Sequence, residues 1–241
     1  MQARVYGIPG ERVRTTGTLK LLLPLLSAVF VLGVVAGLGL ALLPVCKVSA
    51  AVFGGLFLVA AGFFLWTAHL CPNRVDAFFK GARGEERTAF ALESLPEGFC
   101  VFNGLMARKR SFAMSRGDMD HVVAGKSGVF VVETKCWEGE VTCEHGRIWV
   151  DGQPPTRDPL AQVLKARDEL EAALGEAQET AVKVQAVLCF SGRGFLGRRA
   201  RVNDVEICHV REVAGVIEKA AESSLTRDEV EVVSDRLARM V

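Results

Sequence analysis

The segment VFVVETK, from Val129 to Lys135, joins a run of apolar residues to a carboxylate and an ammonium group. Side chains alternate between the two faces of a β-strand, so Glu133 and Lys135 point the same way as Val129 and Val131. A polar pair on a buried face is costly unless something binds it. The segment therefore predicts a chemically active end to a buried strand.

The residues before this segment predict its partner strand. Asp120 to Ala124 has strand character, and Gly125-Lys126-Ser127-Gly128 is a hairpin turn signal. If the two glycines pair, the register places Asp120 opposite Glu133. Directly opposed side chains have Cβ atoms about 4.5–5.5 Å apart. Two carboxylates that close repel each other unless one is protonated or a cation lies between them.

Asp120, Glu133 and Lys135 together suit divalent-metal chemistry on a phosphate. Carboxylates are preferred ligands of Mg²⁺ and Mn²⁺, and Mg²⁺ often uses only one or two of them together with waters and substrate phosphates. Lys135 is a compact positive charge that can orient or deprotonate a water, or steady a phosphate. The alternative is a solvated strand edge on which the three charges form surface ion pairs.

Other polar residues give weaker signals. His121 points to the face opposite Asp120, which predicts a packed, hydrogen-bonded histidine rather than a ligand. Asp118 shares the acidic face and is expected either to support the site or to be solvated. Two basic clusters, Arg108 to Arg110 and Arg198 to Arg201, can contact phosphates or simply lie in solvated loops.

The composition is divided between two unlike regions. The chain has 241 residues and a formal net charge of +1, a balance that gives no strong hint of a nucleic-acid or acidic partner. Between Lys20 and Arg74, however, Lys47 is the only Lys, Arg, Asp or Glu. The apolar runs Leu21 to Val45 and Val48 to Leu70 each exceed the ~18–20 residues that cross a bilayer as a helix.

These runs predict a two-helix transmembrane hairpin with a tight turn at Pro44 to Lys47. Positive residues flank it on both sides, which places both ends in the cytoplasm, on the cytoplasmic (inner) membrane. A cleaved signal peptide is one alternative, although its apolar region is normally about 7–15 residues long. A buried hairpin of a soluble protein is another, although soluble helices usually keep a polar face.

The expected organisation is a basic cytoplasmic tail at residues 1–19, the hairpin at 20–72 and one cytoplasmic domain at 73–241. The domain is long enough to bury a core of its own. The seven cysteines contain no CxxC pair. The sequence therefore suggests neither a zinc site nor a disulfide framework.

The cytoplasmic domain is expected to be α/β, with a mixed sheet flanked by helices. Helical patterns are expected at Arg83 to Leu95, Pro159 to Leu174, Glu212 to Ala221 and Thr226 to Met240. Besides the two strands of the acidic hairpin, strands are expected at Phe99 to Asn103, Val141 to Cys143, Ile148 to Val150, Val182 to Phe190 and Val205 to Val210.

Several of these segments together resemble the nuclease-related domain (NERD) family, a branch of the PD-(D/E)xK, restriction-endonuclease-like superfamily. The resemblance runs from Ala82 to Phe190, with motifs in the expected order: Gly84-Glu85, GDMDHVV at Gly117 to Val123, GVFVVETK at Gly128 to Lys135, Gly139, Trp149 and DPLAQ at Asp158 to Gln162. It implies a restriction-endonuclease-like mixed sheet, and hydrolysis of phosphodiesters by metal-activated water with one or two Mg²⁺ ions.

The resemblance also implies roles for five residues. Asp120 would be the central metal ligand and Glu133 the second carboxylate. Lys135 would be the catalytic lysine, Glu85 an acidic residue near the metal, and Gln162 a support for the site or the substrate backbone. The predicted function is a membrane-anchored, divalent-metal-dependent nuclease acting on DNA or RNA. The alternative is a non-catalytic module that binds nucleic acid or protein while tethered to the lipid bilayer.

Overall fold

A computed structural model of the chain describes residues 2–42, 50–106, 118–175, 182–195, 197, 199–220 and 224–241. These residues divide into two compact units. One unit, Arg12–Lys80, is helical. The other joins Met1–Glu11 to Gly81–Val241 and contains the β-sheet. The first residues of the chain therefore fold together with the sheet, although 69 residues of the helical unit separate them from it in sequence.

The helical unit contains most of α1 (Glu11–Leu42) and the first part of α2 (Ala50–Glu93). Within α1, Val13–Gly39 is long and apolar enough to cross a membrane, and almost none of it is buried within the protein. The apolar stretch of α2, Ala51–Trp66, is shorter. Among the described residues one helix thus reaches membrane-spanning length, and the predicted second span is not confirmed. The predicted turn at Pro44 to Lys47 lies outside the described residues.

Seven strands of the described chain form one mixed sheet. They are β1 (Arg4–Tyr6), β2 (Cys100–Met106), β3 (Asp118–Gly125), β4 (Gly128–Lys135), β7 (Val184–Phe190), β8 (Ala200–Val202) and β9 (Val205–His209). A separate small hairpin pairs β5 (Val141–Glu144) with β6 (Arg147–Val150). The order across the large sheet is β1-β2-β3-β4-β7-β9-β8. Strands β4, β7 and β9 run parallel, so their carboxyl ends meet at one edge.

Helices cover both faces of the sheet, as the sequence predicts. On one face, α3 (Pro159–Gly175) and α5 (Arg227–Ala238) pack on a core that includes Val129 and Val131 of β4. On the other face, the end of α2 and α4 (Val213–Glu218) pack on a core that includes Phe130 and Val132. The apolar run of β4 is therefore buried on both sides, which explains why it lacks polar alternation.

Local capping fixes where the helices α3 and α5 begin. The backbone N–H of Leu160 donates to Asp158 Oδ1 at 2.9 Å, which makes Asp158 the N-cap of α3. At α5, Thr226 and Glu229 form a reciprocal capping box. These contacts satisfy backbone donors that the first helical turn leaves unpaired, and the first of them sets the position of Gln162 on α3.

The hairpin register agrees with the sequence prediction from Gly125 to His121, but the pairing ends there, before the predicted pair of Asp120 and Glu133. Gly125 pairs with Gly128, and Ala124 pairs with Val129. Two strands of the sheet were not predicted. Strand β1 pairs in parallel with β2, from Arg4 opposite Cys100, and β8 pairs with β9. Both are three residues long, too short for an alternating pattern to identify them.

Candidate active site

The strands β3 and β4 separate just beyond the part of the hairpin that carries the acidic residues. Their pairing ends at His121 opposite Val132, while β3 continues beside β2 and β4 continues beside β7. Asp120 lies at this point of divergence, and its Oδ2 accepts a hydrogen bond from the backbone N–H of Thr134 at 2.7 Å. The Asp120 carboxylate thus accepts a hydrogen bond that a backbone carbonyl of β3 would accept in a regular ladder, and this contact holds the carboxylate beside Glu133.

The environment of Asp120 raises its pKa well above the ordinary value of 3.8. Loss of hydration is the largest cause, followed by the negative charges of Glu133 and Glu85. The Thr134 N–H and the Lys135 ammonium group act in the opposite direction but do not cancel the effect. The site therefore gathers three carboxylates close enough to disfavour their joint ionisation, a situation that a cation relieves.

Glu133 and Lys135 form a partly buried ion pair at the carboxyl end of β4. Lys135 Nζ donates to Glu133 Oε1 at 2.6 Å and to Gln162 Oε1 at 2.9 Å. Glu133 is only 3% exposed, whereas Lys135 is half-buried. The two hydrogen bonds point the ammonium group between β4 and α3. Three of the five predicted site residues are thus in direct contact.

Glu85 reaches the site from the last turns of α2, which pack closely on the sheet. A Cβ atom at Gly84 would lie 2.6 Å from Cys136 Cβ and 2.8 Å from Ser191 Oγ. Only glycine therefore allows α2 to approach the ends of β4 and β7 this closely. The half-buried Glu85 is adjacent to this contact, and its charge acts on Asp120.

The remaining sequence candidates lie outside this group or outside the described residues. His121 is fully buried, and its Nδ1 lies 2.7 Å from Asn103 Oδ1, as expected for a packed histidine. Burial lowers the pKa of His121 to about 3. The side chain of Asp118 and the cluster Arg108 to Arg110 lie outside the described residues. Of the cluster Arg198 to Arg201, Arg199 and Arg201 pair with Glu206.

The donor set suits a cation that keeps much of its own hydration. Within the described ranges, no group of three or more His, Cys, Asp or Glu residues has the arrangement of a complete metal cage. Mg²⁺ does not require one, because it is commonly held by one or two carboxylates plus waters and substrate phosphates. Asp120 and Glu133 are oxygen donors of that kind, and burial, followed by the charges of Glu133 and Glu85, raises the pKa of Asp120.

Sequence reasoning missed the backbone contribution to this site. The N–H of Thr134 anchors Asp120, and the N–H of Ser191 donates to the carbonyl of Lys135 at 3.0 Å. Neither contact has a sequence signature, since both depend on where β3 leaves β4 and where β7 ends. The contact of Gly84 with Cys136 and Ser191 has no sequence signature either, although Gly84-Glu85 is one of the motifs of the resemblance.

Residues 80–191 match the family model described as nuclease-related domain. The match includes Glu85, Asp120, Glu133, Lys135 and Gln162. Neither the curated proteins nor the solved structures contain a match to this chain.

Proposed function

We propose, from the match of residues 80–191 to the nuclease-related domain model and from the geometry of the site, that the protein is a membrane-anchored, divalent-metal-dependent nuclease. Its substrate is the phosphodiester backbone of DNA or RNA, and its fold is of the restriction-endonuclease-like type. The observation that carries the proposal is the contact of Lys135 with Glu133 and Gln162, beside Asp120, whose carboxyl group has a raised pKa.

Each proposed role follows from the contacts of that side chain. Asp120 and Glu133 would hold Mg²⁺ or Mn²⁺, with Glu85 adding negative charge that favours the cation. Lys135 would orient a water or the phosphate, and Gln162 fixes the direction of its ammonium group. The chemistry that the bound ion supplies is polarisation of the phosphate and activation of water.

Cleavage by the purified full-length chain tests this proposal. Labelled DNA and RNA, single- and double-stranded, are incubated with Mg²⁺, with Mn²⁺ or with EDTA. We expect cleavage only with metal, and a loss of about 10²-fold or more in the isosteric Glu133→Gln variant. The matched control is Glu231→Gln, a change on the exposed side of α5. A wild-type protein that cleaves none of these substrates would contradict the proposal.

A non-catalytic binding module is the second candidate. The pairing of Glu133 with Lys135 at 2.6 Å favours it, because this contact already neutralises one carboxylate without any metal. Such a module would bind nucleic acid or a protein beneath the membrane without hydrolysing anything. Tight, metal-independent binding of an oligonucleotide that stays intact over hours would support this candidate over the nuclease.

We further propose that α1 and the apolar part of α2 form two membrane spans, with the catalytic unit in the cytoplasm on the inner membrane. Strand β1 supports this topology, because residues before α1 pair with β2 inside the same folded unit. If α1 crosses the bilayer, the chain must cross again before β2 to bring both strands to one side. The positive residues around the two apolar runs favour the cytoplasmic side.

A further inference from the structure

An arginine-lined groove opens beside the candidate site, on the side of the sheet edge where α2 lies. It has a volume of about 960 Å³ and lies between the last turns of α2 and the loops that follow β7 and β9. Arg83 and Arg87 project from the helix, Arg193 from the first loop and Arg211 from the second. All four arginines are exposed. We name this feature the arginine groove.

Hydrogen bonds of the Ser191 backbone connect the arginine groove to the site. The Ser191 N–H donates to the carbonyl of Lys135 at 3.0 Å, while the Ser191 carbonyl accepts from Arg87 Nη1 at 3.3 Å. The strands β4, β7 and β9 are parallel neighbours about 5 Å apart. Their carboxyl ends therefore lead from Lys135 at β4 to Arg193 after β7 and Arg211 after β9.

The charges in the arginine groove favour an anion with several negative groups. Two carboxylates, Glu86 and Glu212, also line it, and Glu212 Oε2 accepts from the backbone N–H of His209 at 3.4 Å. Within the described part of the chain, the guanidinium groups of Arg83, Arg193 and Arg211 form no ion pair. Guanidinium groups bind phosphates in a planar, bidentate manner, so successive phosphates of one strand match this arrangement.

Phe90 adds an aromatic surface to the same groove. It lies on α2 three residues after Arg87, lines the groove and is 77% exposed. Proteins that hold single strands combine a basic groove for the backbone with exposed aromatic rings on which bases stack. The bases of a duplex are already stacked on each other and are not free to lie on such a ring.

We propose that the arginine groove binds a single-stranded nucleic acid, with Phe90 stacking on a base and the arginines contacting the phosphates next to the one that is cleaved. This inference rests on the proposed nuclease function and specifies its substrate as single-stranded. A lipid headgroup is a different polyanionic partner, but the concave shape and the exposed ring fit an extended strand better.

Binding measurements on the full-length chain in detergent test the groove. The Asp120→Asn background prevents cleavage, and the probes are a fluorescein-labelled single strand and its duplex, with Mg²⁺ at several salt concentrations. We expect Arg193→Ala/Arg211→Ala to weaken single-strand binding by tenfold or more and to reduce the slope of log affinity against log salt by about 1.4, since each lost phosphate contact removes about 0.7. Phe90→Ala should weaken single-strand binding about tenfold and leave duplex binding unchanged.

One control variant and two results that would overturn the proposal complete this test. Arg227→Ala removes an exposed arginine from α5, outside the groove, and should bind like its parent. Equal affinity and salt slope in the double variant and the control would overturn the groove. Displacement of the strand by phosphatidylserine micelles, but not by phosphatidylcholine micelles, would assign the groove to a lipid headgroup and overturn it.

The groove and the nuclease function fail separately. If wild-type protein cleaves single strands and the groove variants cleave them equally well at limiting substrate, the groove inference is wrong and the nuclease stands. If the groove variants lose single-strand binding but the wild-type protein cleaves no nucleic acid, the groove stands and the nuclease is wrong.

Discussion

If the protein is the proposed nuclease, loss of the Lys135 side chain should stop cleavage and leave metal binding in place. Its ammonium group donates to Glu133 and Gln162 but is not itself a metal ligand. We expect Lys135→Ala to reduce cleavage about 10²- to 10⁴-fold and to destabilise the metal-free protein by on the order of 2 kcal/mol, because Glu133 loses its charged partner. Calorimetric Mn²⁺ titration should give an affinity equal to or above that of wild type. Lys165→Ala, on the exposed side of α3, is the control.

Loss of the Asp120 carboxylate should instead weaken metal binding without destabilising the metal-free protein. Its raised pKa means that the ionised carboxylate destabilises the folded, metal-free protein at pH values above that pKa. Asp120→Asn keeps an acceptor for the Thr134 N–H and removes the charge. We expect it to melt at the same or a higher temperature than wild type in EDTA. Its Mn²⁺ affinity should fall by more than the roughly 10–100-fold that loss of an outer partner costs.

Unchanged Mn²⁺ affinity in Asp120→Asn would contradict the metal-site assignment. Loss of Mn²⁺ binding in Lys135→Ala, with a normal melting curve, would instead make Lys135 part of the binding site. The two variants thus separate ligand from catalyst, which neither does alone.

The lowered pKa of the buried His121 should make the stability of the protein depend on pH. Its pKa is lowered to about 3 in the folded protein, against an ordinary 6.5, so the unfolded chain binds an extra proton between these values. Stability is therefore fully present above pH 6.5 and falls below it by about 1.4 kcal/mol per pH unit. In the Asp120→Asn background, thermal melts from pH 7.5 to 5 should show this loss. The added change His121→Gln should flatten the dependence, and an equally steep curve in that variant would refute the assignment.

The acidic pair could be found from sequence because two simple regularities agree. A glycine turn set the register, and strand alternation then placed Asp120 and Glu133 on one face. The hydrogen bond from Thr134 to Asp120 could not be found in this way, because it exists only where β3 leaves β4. The arginine groove was also missed, since Arg83, Arg193 and Arg211 come from three separate elements.

Helix α2 lies too close to the ends of β4 and β7 for a side chain at the point of contact. Gly84 permits its close approach to Cys136 and Ser191. We expect Gly84→Ala to lower stability by about 1–3 kcal/mol through overpacking, and to reduce cleavage because Glu85 and the arginines of α2 move with the helix. Melting temperature and cleavage rate check this expectation.

Gly215→Ala is the matched control for that change. Gly215 lies within α4, and a Cβ atom there would meet nothing within 4 Å. Alanine should therefore be neutral or stabilise the protein by up to about 1 kcal/mol. If Gly84→Ala behaves like Gly215→Ala, the close packing of α2 does not position the site.

Helices and strands could be predicted from the sequence where burial produces a long apolar pattern. Strand β4 shows an apolar run that turns polar at the site, and α3 has a cap at Asp158 followed by the buried residues Leu160 and Val163. Prediction failed at β1, because its three residues, Arg-Val-Tyr, form a strand through their pairing with β2 and have no pattern of their own that predicts one. From the sequence alone, Arg4 is simply one of the positive residues that precede the apolar runs.

For the whole molecule, the two-span topology predicts which residues face the cell exterior. In intact cells, an impermeant thiol reagent should label Cys46, which lies between the two predicted spans. It should not label a cysteine introduced at the exposed Ile8, because the neighbouring strand β1 pairs with the sheet, which this topology places in the cytoplasm. Permeabilised cells provide the control, since they should expose the Ile8→Cys thiol to the reagent. Labelling of Ile8→Cys without permeabilisation would refute this topology.

The parallel pairing of Arg4 with Cys100 also orders events during synthesis. Strand β1 is made first but cannot pair until β2 has left the ribosome, which takes roughly 5–20 s at ~5–20 residues per second. In the proposed two-span topology, the apolar segments enter the bilayer during that interval, and the leading residues must stay on the cytoplasmic side. A fusion that exports them would leave β2 as an unpaired edge, open to association with other chains.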